Sequence, residues 1–246
     1  ILFKKPLKTI DQTLSLMSSF LIPTIELLTG IFLLFGGGEC FVQGSVALAL
    51  ILGIPQLVIG LTVVALGTSA PELFVSANSL FQGSDALAIS NVVGSNIFNV
   101  MVVLGSSALI RPLKVDSRLV RRDVPLLLGV SAAVWGTTST GTLTWQSGAS
   151  LLLALILNTI WEIKTAREDP QKIQEAEPEI KPGKDSASLT NACAKILGGI
   201  LLLTLGSKVL INGASEIAGL LGVSEVVIGL TIVSFGTSMP ELITSL

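Results

Sequence analysis

The chain has no histidine in 246 residues, two cysteines, and only 13% charged residues. The lack of histidine removes the usual transition-metal ligand and the commonest proton relay. Cys40 and Cys193 cannot build a disulfide framework, and a structural zinc site needs four clustered ligands. There is no nucleophile–base pair, no phosphate-binding loop and no dinucleotide fingerprint, so neither an enzyme nor a resident cofactor is expected, and no nucleic-acid partner. A soluble globular domain carries about 25% charged residues. With half that proportion the chain cannot cover itself with charge. The net charge of −2 is set by exposed loops and says little.

Apolar sequence takes the place of the missing charge. Half of the residues are hydrophobic and the mean hydropathy is +0.79. A bilayer is the expected partner and solvent. A helix needs about 20 mostly apolar residues to span it. Stretches near that length recur at 24–50, 56–80, 86–109, 124–141, 144–161, 192–218 and 223–246, which predicts seven spans. Trp135, Trp145 and Trp161 stand near predicted span ends, as interfacial anchors do. The charged, proline-containing segment from Glu162 to Thr190 predicts a solvated linker. Starting at Ile1 rather than at methionine, the chain is expected to lack its first residues.

The linker separates two related halves. A shift of 169 residues places "VIGLTVVALGTSAPELFVSA" (58–77) over "VIGLTIVSFGTSMPELITSL" (227–246), with 13 of 20 positions identical. Upstream, Gly30, Gly37, Gly44 and Gly53 meet Gly199, Gly206, Gly213 and Gly222. A repeat this long outranks other sequence signals. Five spans precede the linker, and an odd number inserts the second copy upside down, a transporter architecture. The expected fold is an all-α polytopic membrane protein with inverted five-helix repeats. Its parts are a first repeat at 21–161, a linker at 162–191, and the first two spans of a second repeat at 192–246, truncated there. Arg111, Lys114, Arg118, Arg121 and Arg122 share a side with the basic residues of the linker. The positive-inside rule makes loops 111–123 and 162–191 cytoplasmic and the chain an integral protein of the plasma (inner) membrane. Lys4, Lys5 and Lys8 then fall outside, unless residues 9–22 form a further segment.

Both copies interrupt an apolar helix at Gly-Thr-Ser-x-Pro-Glu. Four-residue spacing lets Thr68 converge with Glu72, and three-residue spacing does the same for Ser69. Pro71 has no N–H for the carbonyl of Gly67. The motif thus gathers carboxylate, hydroxyl and carbonyl oxygens at membrane depth, where free carbonyls are tolerated only inside protein or beside water. Thr237, Ser238, Pro240 and Glu241 repeat it. A simple proline kink explains the proline and hydroxyls but not the carboxylate, which costs about 2.5–3.5 kcal/mol at mid-span. A second element, "SNVVGSNIFNV" (90–100), spaces Asn91, Ser95 and Asn99 by four on one face, with Gly94 allowing close backbone approach. Such a stripe serves as helix–helix glue or as further ligands. All the donors are oxygens, as Ca²⁺ and Na⁺ prefer. Two glutamates balance one Ca²⁺, so each copy is expected to supply half of one central site.

Gly-Thr-Ser-x-Pro-Glu at 67–72 and 236–241, together with Gly94-Ser95-Asn96-Ile97-Phe98-Asn99, resembles the alpha repeats of the calcium/cation antiporter superfamily. The nearest branch is that of prokaryotic sodium/calcium exchangers, which the loop "PLKVDSRLVRRD" (112–123) also resembles. The resemblance runs from about Leu21 to Leu246. It implies ten spans in two inverted repeats and exchange of Na⁺ for Ca²⁺ by alternating access. It makes Glu72 and Glu241 the shared carboxylates. Thr68 and Thr237 would offer backbone carbonyls to Ca²⁺. Ser69, Ser95 and Ser238 would line sodium positions near the carbonyls of Ala65 and Ser234, and Asn99 would be a ligand. The chain departs from the family by stopping at Leu246, so three further spans are expected in the parent protein. Exchange of Ca²⁺ with H⁺ or K⁺, a cation channel, and a non-transporting fragment with half a site are the competing readings.

Overall fold

The computed structural model describes residues 5–113, 115, 117, 119–139, 141, 143–167 and 188–245, and every regular element among them is helical. Helix α1 is Lys5–Ile51. Residues 56–68 form α2, with a π-turn at Gly60–Val64. Then come α3 (Ala70–Phe81), α4 (Asp85–Ile110), α5 (Val124–Thr138), α6 (Trp145–Arg167), α7 (Leu189–Leu221), α8 (Glu225–Thr237) and α9 (Met239–Ser245).

Seven spans were expected, and the helices divide differently. Ser19–Ile51 of α1, α4, Trp145–Thr165 of α6, and α7 are each long and apolar enough to cross a bilayer. Gly60–Thr68 and Ala70–Phe81 make a fifth crossing if they are counted together, with a bend of 49° between them. The expected span at 124–141 is shorter: α5 has 15 residues and is extended upstream by the π-turn Leu119–Asp123. The one at 223–246 is divided at Ser238 into α8 and α9. Residues 9–22 continue α1 and form no element of their own. The expected linker starts late because α6 runs on to Arg167. Arg122 holds those last turns: it bonds Asn158 Oδ1 at 2.6 Å, pairs with Glu162 at 3.5 Å, and lies 3.4 Å over the Trp161 ring. The linker residues 168–187 lie outside the described residues.

The sequence repeat is also a repeat of local structure. Helix α1 ends on Gly53 (φ 72°) and α7 on Gly222 (φ 66°), a left-handed conformation that only glycine adopts cheaply. Ile54 N–H reaches Ala49 O at 3.0 Å, and Val223 N–H reaches Ala218 O at 3.0 Å, each pair being the other shifted by 169. The π-turns Gly60–Val64 and Gly229–Val233 are offset by the same 169. In each, a threonine hydroxyl back-bonds the preceding turn at 2.6 Å, Thr62 to Val58 O and Thr231 to Val227 O.

Helices α1 and α7 pack along their glycine rows. A Cβ on Gly30 would stand 2.6 Å from Leu210 N, one on Gly37 2.8 Å from Leu203 N, and one on Gly44 2.8 Å from Ile196 N. The partner number falls as the α1 number rises, so the two helices run antiparallel. The contacts also exchange under the repeat: Gly199 meets Phe41 N at 2.6 Å, Gly206 meets Leu34 N at 2.9 Å, and Gly213 meets Leu27 N at 2.8 Å. Equivalent helices of the two copies are thus related by an approximate two-fold axis. Small residues make such close packing possible in lipid, where apolar burial gives no drive for association. Leu34, Val75, Leu87, Leu203, Leu210, Ile211 and Val233 fill the core around this seam. Helix α3 packs on α7 and α4, and α8 packs on α4.

Candidate cation site

The two motifs are built alike. Helix α2 stops at Thr68, Ser69 leaves the helical region (φ −83°, ψ 6°), and α3 restarts with Pro71 in its first turn. There the missing N–H of proline costs nothing. The Gly67 carbonyl, which Pro71 cannot serve, takes the Ser69 N–H instead. The second copy breaks at Ser238 (φ −92°, ψ 9°). Leu73 N–H bonds Ser69 O at 3.1 Å, and its repeat partner Leu242 bonds Ser238 O at 3.2 Å.

Glycine brings the second motif onto α4. A Cβ on Gly94 would be 2.8 Å from the Leu230 Cα and would also strike the Ser234 hydroxyl. Gly229 makes the reciprocal approach to Ser90. Ser90, Asn91, Gly94 and Ser95 are all buried there.

Three cross-links follow from this packing. The Ser238 hydroxyl donates to Glu72 Oε1 at 3.0 Å. Asn91 Nδ2 donates to the Glu72 carbonyl at 3.3 Å and to Ser76 Oγ at 3.0 Å. The Thr237 hydroxyl donates to Asn91 Oδ1 at 3.3 Å, with Ser234 O also in reach at 3.2 Å. Glu72 Oε2 and Asn99 Oδ1 are among the buried oxygens of the described residues that have no hydrogen-bond partner. Helix α9, which carries Glu241, packs against the π-turn Asn99–Val103.

The expected residues are not equally enclosed. Ser234, Thr237 and Ser238 are each 0% exposed, and Ser95 is 4% exposed. Glu72, Glu241, Asn99 and Thr68 are half-buried, whereas Ala65 and Ser69 are exposed. Thr68 donates to Ala65 O at 3.2 Å, and Ser95 to Val92 O at 3.1 Å. The structure therefore gathers Glu72, Thr237, Ser238 and Ser234 around α4, while Ala65 and Ser69 are exposed. Among the described residues no three of His, Cys, Asp and Glu cluster as a metal site. A cation held here would depend on neutral hydroxyl, amide and carbonyl oxygens beside the carboxylates. Asn91 was visible in the sequence only as a member of the polar stripe, and its link to both motifs comes from the packing.

A family model described as "Sodium/calcium exchanger protein" matches residues 22–164 and 192–246. CaxA of Alkalimonas amylolytica, provisionally named an antiporter, is 38% identical over 92% of this chain and 71% of its own length. The inner membrane protein YrbG of Escherichia coli is 32% identical over 92% of this chain and 70% of its own. The solved sodium/calcium exchanger from Methanococcus jannaschii is 33% identical with a TM-score of 0.52, covering 91% of this chain and 70% of that one. The chain belongs to the sodium/calcium exchanger protein family, which makes it a multi-pass membrane protein whose work is cation antiport and not enzymatic conversion.

Proposed function

We propose that the chain exchanges Ca²⁺ for Na⁺ by alternating access, with both motifs contributing to one central site. Glu72 and Glu241 are the carboxylates that either one Ca²⁺ or Na⁺ neutralises. Thr68 and Thr237 offer backbone carbonyls to Ca²⁺. Ser69, Ser95 and Ser238, with the carbonyls of Ala65 and Ser234, line the Na⁺ positions. Asn99 supplies an amide oxygen. The observation that carries this reading is the Ser238–Glu72 bond at 3.0 Å, which puts a second-copy hydroxyl on the first-copy carboxylate. Glu72 Oε2 and Asn99 Oδ1, buried without protein partners, support it, because a cation would satisfy both. Oxygen donors without sulfur or imidazole suit Ca²⁺ and Na⁺.

In this reading the antiparallel α1/α7 pair reflects two repeats inserted in opposite senses. Loops 111–123 and 162–191 face the cytoplasm, across the plasma membrane. Uptake of Ca²⁺ by proteoliposomes loaded in turn with Na⁺, K⁺ and protons tests the function. Uptake that needs internal Na⁺ is expected. Equal uptake with internal K⁺ or a proton gradient alone would replace Na⁺ as the counter-ion.

A further inference from the structure

The stripe Asn91–Ser95–Asn99 divides in space. Asn99 Oδ1 is buried with no hydrogen-bond partner, as a ligand atom would be. Asn91 is 0% exposed and its amide is engaged on both sides. Both N–H groups are spent, on the Glu72 carbonyl and on Ser76 Oγ, and its oxygen accepts from Thr237. The reverse orientation would set the amide oxygen against the Glu72 carbonyl, two acceptors facing each other. The Glu72 carbonyl thereby fixes which end of the amide Thr237 meets.

A threonine hydroxyl has one proton to give. On Thr237 that proton has Asn91 Oδ1 at 3.3 Å and Ser234 O at 3.2 Å among its acceptors. When Asn91 takes it, the Ser234 carbonyl keeps the Ser238 N–H at 3.1 Å, and its other lone pair is free to face a cation. In the first copy the Thr68 hydroxyl donates to Ala65 O at 3.2 Å.

We propose that Asn91 is a positioning residue for cation exchange: it draws the Thr237 proton away from the Ser234 carbonyl and ties that event to the backbone of Glu72. The proposal rests on the exchange reading above, in which the Ser234 carbonyl is a ligand.

The test compares the wild-type chain, Asn91→Leu, Thr237→Val and the double variant in Na⁺-loaded proteoliposomes, with KM and maximal rate for Ca²⁺ measured separately. Asn91→Leu keeps the volume but removes the acceptor that competes with Ser234 O for the Thr237 proton. KM should rise about ten-fold, the size of one hydrogen-bonded group in a dry site, with the maximal rate little changed. Thr237→Val removes the capping proton and keeps the backbone carbonyl. The double variant should therefore recover part of the affinity that Asn91→Leu loses. A merely structural asparagine would give additive damage. A wild-type KM in Asn91→Leu overturns the proposal, and so does a double variant no better than Asn91→Leu. Should Asn91→Leu fail to reach the membrane, Asn91→Ser is read the same way. Absence of Na⁺-dependent flux in the wild type overturns the exchange reading alone. Asn91 is then judged on the rise in Tm that Ca²⁺ gives the detergent-purified chain. That rise should be smaller in Asn91→Leu and partly restored in the double variant, and an equal rise in all forms overturns the proposal.

Discussion

Ser238 Oγ donates to Glu72 Oε1 at 3.0 Å, across a sequence separation of 166 residues. One bond joins the breaks in two helices that share a motif. Ser238 is fully buried, while its repeat counterpart Ser69 is exposed. The two copies carry the same residues in different surroundings: Ser238 lies where α8 packs on α4, and Ser69 is exposed at the end of α2.

Glu72→Gln should reduce Ca²⁺ exchange by about 100-fold or more, since a charged group's contacts are worth roughly 1.5–3 kcal/mol each and its charge is lost as well. Membrane insertion should survive, because a neutral amide at mid-span costs less than a carboxylate. Isotope flux and membrane yield measured side by side check this. Wild-type flux from Glu72→Gln would remove the residue from the site.

The unequal burial makes the two serines unequal in effect. Ser238→Ala removes a buried donor to a carboxylate and should weaken the apparent Na⁺ affinity about ten-fold. Ser69→Ala removes a hydroxyl that lines a proposed Na⁺ position from a more exposed face and should weaken it less, by about three-fold. Dependence of Ca²⁺ uptake on Na⁺ concentration reads both variants. Equal effects would mean that the two halves are enclosed alike when the site works.

Much of this was legible in the sequence, for specific reasons. The repeat predicted matching local structure, and Gly53 with Gly222, and Gly60 with Gly229, deliver it to the residue. Gly94 announced a close backbone approach, and Leu230 makes it. Four-residue spacing placed Asn91 on one face but could not say what that face meets. Its bonds to Glu72 and Thr237 depend on how α8 lands on α4. The extension of α6 to Arg167 was hidden because composition alone reads Glu162 as solvated, whereas Arg122 reaches it from another helix. Hydropathy also counted 223–246 as one span, since an apolar average does not register a helix that breaks at Ser238.

Orientation has its own test. A single cysteine at Ser117, in a chain with Cys40 and Cys193 replaced, should react with a membrane-impermeant maleimide only after the cytoplasmic face is opened. Ser186, which lies outside the described residues, should behave the same way if the two basic loops share a side. Labelling of both from outside intact cells would reverse the orientation. A split result would change the number of crossings between them.

The last prediction concerns the seam that gives the two copies their opposed direction. Gly44 and Gly213 are repeat equivalents, yet they stand at opposite ends of the α1/α7 pair. A Cβ on Gly44 would lie 2.8 Å from Lys195 Cβ, and one on Gly213 would lie 3.0 Å from Glu26 Cβ. These two contacts exchange under the 169-residue shift, as an approximate two-fold axis requires. Disulfides need Cβ atoms about 3.5–4.5 Å apart, so small relaxations would suit both pairs. Gly44→Cys with Lys195→Cys should therefore cross-link on mild oxidation, and so should Glu26→Cys with Gly213→Cys, each in the background lacking Cys40 and Cys193. Gly44→Cys with Gly213→Cys should not. The partners of these glycines on the facing helix, Ile196 for Gly44 and Leu27 for Gly213, imply a separation along the seam of 17 residues, about 25 Å at the helical rise of 1.5 Å per residue. Gel mobility after oxidation separates the outcomes. Cross-linking of the two glycine positions, with neither mirror pair reacting, would mean that the equivalent helices run parallel, and the inverted relationship of the repeats would be lost with it.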